Sequence, residues 1–129
     1  MSRSLVGIIV GLGLLLPQLA HAHLICRIGN LGGMPWAVVT TPGKRSEGMS
    51  LLTEGVSLLA KGKRLEGESD IKELTRCCME GLLTAGTKVM IVDSGVMTST
   101  VRVLEGKDKG HVGDIDTTQM VECKLPGQE

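Results

Sequence analysis

The sequence predicts an α+β fold in which an N-terminal strand-and-helix portion is stapled by disulfides onto a small antiparallel β-barrel. Three observations carry that reading. Beyond Gly86, four short segments rich in β-branched residues follow one another with glycine turns and no helix between them. Ahead of them, Glu68 to Gly81 has the 3.6-residue period of an amphipathic helix. The chain also opens like an exported one and carries an even number of cysteines, Cys26, Cys77, Cys78 and Cys123.

The opening stretch, MSRSLVGIIVGLGLLLPQLAHAHLIC, reads as a signal peptide over residues 1–22. Arg3 supplies the positive end, Leu5 to Leu16 the apolar run, Pro17 the break, and Ala20-His21-Ala22 the small residues of a cleavage site. A membrane-spanning helix needs about 20 apolar residues. The apolar run is shorter, so no stable membrane insertion is expected after cleavage. Export implies a periplasmic or extracellular location and an oxidising environment.

The remainder, residues 23–129, is long enough for one compact domain, divided into an N-terminal portion over 23–84 and a barrel portion over 85–123. Lys and Arg number 14 and so do Asp and Glu. This balance gives no electrostatic reason to expect nucleic acid as a partner. Trp36 is the single aromatic residue, so Val, Leu and Ile must fill the core, with Met90, Met97 and Met120 as adaptable fillers. Trp36 is itself expected in that core.

Four cysteines allow three pairings. A bond between the neighbours Cys77 and Cys78 would close a ring far from preferred disulfide geometry. The expectation is therefore that one of them holds Cys26 and the other Cys123. A zinc site would want cysteines two to four apart or histidine partners, and the adjacent pair offers neither.

Along the chain, Gly29 to Gly33 is a glycine-rich turn that lacks the lysine and helix of a phosphate-binding loop. Trp36 to Thr41 is a short strand between Pro35 and Pro42. Residues 46–64 hold the tandem SLLTEGV and SLLAKGK, where Gly48, Gly55 and Gly62 leave helix and strand both open. In the helix that follows, Asp70 is read as the N-cap with Glu73 closing a capping box, and Gly81 as the stop. Then come strands over Thr87 to Asp93, Thr98 to Glu105 and His111 to Ile115, with Gly106 to Gly110 as a five-residue hairpin between the last two. DTTQM makes one tight turn before a last strand, Val121 to Cys123.

Residues 85–122, AGTKVMIVDSGVMTSTVRVLEGKDKGHVGDIDTTQMVE, resemble the SH3-like barrels of bacterial exported proteins. In those, a G-T-x-V lead-in precedes a V-R-V-L-x-G strand, a glycine-bracketed hairpin, and a G-W-V strand that runs into a one-turn helix. The matching positions are Gly86, Thr87, Val89, Val101, Val103, Leu104, Gly106, Gly110 and Gly113. The resemblance implies an SH3-like barrel. Where that family carries its groove tryptophan this chain has Asp114, followed by Ile115 and Asp116, so aromatic-groove recognition of proline-rich peptides does not carry over to that position. Asp114 and Asp116 alternate with Ile115 and are read as solvated acids sharing one face. A calcium loop would need further oxygen ligands that DIDTTQMVE lacks.

No G-x-S-x-G, H-E-x-x-H or C-x-x-C occurs, and oxidised cysteines leave no thiolate for catalysis. The functional expectation is a non-catalytic binding or scaffolding module, with no cofactor and no metal, that meets a protein or cell-envelope partner through the barrel loops. The contact candidates are Arg102, Lys107, Asp108, Lys109, Asp114 and Asp116, polar groups carried on a rigid support. The alternative is a metal-binding or redox protein using His23, His111 or the Cys77/Cys78 pair.

Overall fold

Among the described residues every strand joins a single antiparallel sheet, and the N-terminal portion supplies three of its strands. The computed structural model describes residues 23–30 and 36–129, so the signal-peptide reading of 1–22 and most of the Gly29–Gly33 turn lie outside the described residues. Strands β1 (Ile25–Ile28), β2 (Trp36–Thr40) and β3 (Met79–Thr84) precede β4 (Lys88–Asp93), β5 (Thr98–Val103), β6 (Val112–Asp116) and β7 (Met120–Lys124). Helices α1 (Arg45–Ala60) and α2 (Arg64–Cys77) form a hairpin between β2 and β3, and a 3-10 turn, Thr117–Gln119, joins β6 to β7.

The order across the sheet is β3-β2-β6-β5-β4-β1-β7. Among the described residues β3 and β7 are its edges, so the sheet is open. Strands of the 23–84 portion interleave with those of the rest of the chain in this sheet. β1 lies between β4 and β7, and β2 takes the place beside β6. The last strand, β7, therefore pairs with β1 and not with a neighbour from its own half of the chain.

The interior is built as the composition demands. Cys26, Ile28, Ala37, Val39, Leu83, Val89, Ile91, Val101, Val103 and Ile115 form one buried cluster, with Leu24 and Met120 packed against it. These are alternate residues of their strands, as a two-residue side-chain period requires. Three expected members are missing, one of them Met90, which alternates with buried Val89 and Ile91 and so lies on the opposite face of β4. Met97 is 79% exposed and Trp36 52% exposed. Trp36 is the first residue of β2, paired with Thr84 of the edge strand, where the sheet gives its ring cover on one side only.

Within residues 46–64, residues 46–60 resolve as helix and 61–63 as the turn into α2. Gly62, at φ +79°, lies just past the end of α1 and takes the left-handed conformation that stops it. Gly55 and Gly67 are instead points of close approach between the helices. A side-chain carbon at Gly67 would stand 2.9 Å from the Gly55 carbonyl oxygen, and one at Gly55 would stand 2.9 Å from Ile71 Cδ1. Glycine weakens a helix in isolation, but here it lets two helices pack against each other. Helix α2 starts at Arg64, a turn and a half before the Asp70 cap that the sequence suggested, and neither helix has a side-chain N-cap. Asp70 sits mid-helix. The helix ends at Cys77, and Gly81 belongs to β3 instead of marking the stop.

The sulfur pairing also differs from expectation. Cys26 is bonded to Cys123, and Cys77 to Cys78. The cause is strand register. Ile25 pairs with Lys124 and Arg27 with Val121, which sets Cys26 opposite Cys123 and leaves the adjacent pair only each other. The two bonds thus tie β1 to β7 and close the turn at which α2 hands the chain to β3.

Candidate functional site

Strands β2 and β6 share only one pair, Thr40 with Asp114, and then part. Into the gap comes Arg45, from the first turn of α1, 9% exposed. Its guanidinium donates to the carbonyl of Val38 on β2 and, at 3.2 Å, to the carbonyl of Asp114 on β6. Nε donates to Asp116 Oδ1 at 3.2 Å and Nη2 to Gln119 Oε1 at 3.4 Å. A planar group with five fixed donors suits such a junction, because it takes over hydrogen bonds that a continuous strand pair would have made.

This junction accounts for the two carboxylates. Asp114 is 7% exposed and accepts from Gly43 N–H at 2.9 Å and from Thr100 Oγ1 at 2.6 Å. It is a buried anchor between the β2–α1 turn and β5, not a solvated acid. Asp116 keeps a side chain 45% exposed beside Arg45. The shared face expected from alternation is present, but the start of α1 covers it.

The other contact candidates scatter. Arg102, Lys107 and Lys109 are exposed on β5 and the hairpin. Asp108 turns back and accepts from Leu82 N–H at 3.3 Å, while His111 Nδ1 donates to the Glu80 carbonyl at 2.9 Å. Both bonds cover the outer edge of β3, which would otherwise offer unpaired backbone groups to another chain. Asp108 is thus committed within the molecule. His23 Nδ1 donates to the Ile91 carbonyl at 3.0 Å, on a different strand from the Glu80 carbonyl that holds His111. Among the described residues no three His, Cys, Asp or Glu side chains gather as a metal site would need.

What does converge is a groove of about 340 Å³ between β2, α1 and the 3-10 turn, lined by Asn30, Trp36, Val38, Met49, Leu52, Thr118 and Gln119. No lining residue is charged. Trp36 offers an indole, Val38, Met49 and Leu52 an apolar wall, and Gln119 a directed donor. The amide orientation of Gln119 follows from its neighbours: Oε1 accepts from Asp116 N–H at 3.1 Å and from Arg45, both of which can only donate. Among the described residues its Nε2 has no acceptor. Asp116 and Gln119 form a reciprocal capping box around the 3-10 turn, so the donor is held from both ends.

Sequence reasoning missed Trp36, Arg45 and Gln119 as site residues. One signal was legible, since D-x-x-Q over Asp116 to Gln119 has the spacing of a capping box. Comparison with protein-family models, curated proteins and solved structures found no match for this chain.

Proposed function

We propose that the protein is an exported, non-catalytic binding module, periplasmic or extracellular, that holds an uncharged segment of a protein partner in the Trp36 groove. The observation that carries this reading is the convergence in one groove of the chain's single aromatic ring, an apolar wall and a Gln119 amide whose donor side is fixed outward. A peptide carbonyl matches that donor, and an uncharged apolar side chain matches the ring and the wall. Charged ligands find no counter-charge there.

The reading keeps the SH3-like character of residues 85–122 and moves the contact surface from the hairpin to the groove. An indole supplied by β2 stands near the 3-10 turn in a chain where the family's groove tryptophan is Asp114. Selection of a displayed random-peptide library on the oxidised protein, with Trp36→Ala as counter-target, tests it. Recovered peptides should be uncharged and should lose binding to Trp36→Ala. Recovery of charged peptides that bind both proteins equally, and lose binding when Lys107 and Lys109 are replaced by alanine, would return the site to the hairpin.

A further inference from the structure

The segment that the groove would select is present on the surface of this same chain. The β4–β5 turn runs Ser94-Gly95-Val96-Met97-Thr98-Ser99 without a charge, and Val96 and Met97 are 91% and 79% exposed. Leu65, the other large apolar side chain exposed to this degree, sits between Arg64 and Glu66. Among the described residues only the β4–β5 tip joins strong exposure of apolar side chains to neutrality.

The tip is held in place by its base. Gly95 N–H donates to Ser99 Oγ at 3.2 Å, Thr117 Oγ1 donates to the Gly95 carbonyl at 2.8 Å, and Ser99 Oγ and Thr117 Oγ1 lie 2.7 Å apart. Thr117 N–H donates to the Met97 carbonyl at 2.9 Å. A turn fixed in this way loses little conformational freedom when it docks. The same bonds place the tip beside the groove, because Thr117 anchors it and Thr118, the next residue, lines the cavity.

We propose that two copies of this chain associate about a two-fold axis, the Val96–Met97 tip of each occupying the Trp36 groove of the other. This rests on the reading of the groove given above and names its occupant. Adjacent tip and groove make one self-complementary patch, which is what a closed two-fold interface requires. The methionine thioether of one copy meets the indole of the other, a contact favourable for both groups. Since neither surface is charged, association is insensitive to moderate salt.

Sedimentation equilibrium of the oxidised protein over a concentration series provides the test, with Trp36→Ala and Met97→Asp as variants. Both sites are exposed, so circular dichroism should match the wild type. The wild type should dimerise with concentration, and each variant should associate at least about tenfold more weakly. An equimolar mixture of the variants retains one intact contact and should recover association between the two extremes. In parallel, the capped peptide SGVMTS is titrated into Met97→Asp and Trp36 fluorescence is read. A wild type that stays monomeric while the peptide shifts the fluorescence overturns the dimer and leaves the groove reading standing. A dimer that both substitutions leave intact overturns the proposed contact. No dimer and no peptide response together remove both.

Discussion

The two disulfides make opposite predictions for stability, because they constrain very different lengths of unfolded chain. Cys26 and Cys123 are separated by 97 residues, Cys77 and Cys78 by 1. In the chain-entropy account a closed loop of about 100 residues destabilises the unfolded state by about 4.7 kcal/mol, and natural disulfides in small exported domains contribute about 2–5 kcal/mol. A bond between neighbours closes no loop and on this account contributes close to nothing. The perturbation is therefore a matched pair of double variants, Cys26→Ala with Cys123→Ala, and Cys77→Ala with Cys78→Ala. Each removes one buried sulfur, at Cys26 or Cys78, and one more exposed sulfur, so loss of packing is similar in the two. Urea unfolding followed by circular dichroism should place the first variant about 2–5 kcal/mol below the wild type and the second within about 1 kcal/mol of it. For a domain of this size each kcal/mol lowers Tm by about 4–8 °C, so a thermal scan separates them clearly. If the adjacent cysteines instead held Cys26 and Cys123, their removal would open two loops of roughly half that length, each contributing on the order of 4 kcal/mol. Either double variant would then break both bonds, so the two would be destabilised alike, and that outcome would refute the register argument for the pairing.

Arg45→Ala should cost about 2–4 kcal/mol in urea unfolding, since the Val38 carbonyl loses its donor inside the protein while half-exposed Asp116 turns to water. Arg45→Met keeps most of the volume, so any recovery it gives measures packing separately from hydrogen bonding. Gly67→Ala gains up to about 1 kcal/mol of helix propensity. It should nevertheless lower Tm, because the new carbon meets the Gly55 carbonyl and Leu59 and over-packing costs about 1–3 kcal/mol; a raised Tm would refute the close approach. Asp108→Ala should cost about 0.5–1.5 kcal/mol through the lost bond to Leu82 N–H and increase light scattering near the melting temperature as the β3 edge is uncovered.

Much of the fold could be read where the side-chain period is two. Strands β4, β5, β6 and β7 and the hairpin between β5 and β6 fall within a residue or two of the positions their valines and glycines indicate. Here local pattern and final environment agree. The helical hairpin was harder to read, since glycine carries two meanings. Gly62 ends a helix through its backbone, while Gly55 and Gly67 admit a neighbouring helix through their lack of a side chain, and composition alone does not separate these uses. Pairing across the sheet was hidden for a different reason. β1 and β2 enter it beside strands whose paired residues are at least 39 positions away in sequence, and no local signal records that Cys26 will face Cys123 or that β2 will meet β6 at a single pair.

The site depends on that same non-local step. Asp114 looks solvated in sequence because an acid near a turn ordinarily is, and Trp36 looks buried because a lone tryptophan ordinarily is. The first inversion follows from Arg45, the second from the place of Trp36 beside the edge strand. Because β2 and β6 pair only at Thr40, the Val38 carbonyl needs another donor, and a helix starting at Arg45 brings a guanidinium that reaches both it and the Asp114 carbonyl. That helix covers Asp114 and sets Met49 and Leu52 facing Val38, which builds one wall of the groove. The guanidinium also turns Gln119 so that its donor faces away from Arg45. The groove is thus a consequence of how the sheet is completed, and an Arg45 variant should lose peptide capture even under conditions where it remains folded. Retained capture by folded Arg45→Met would show that Gln119 needs no such support and would separate the groove from the junction beneath it.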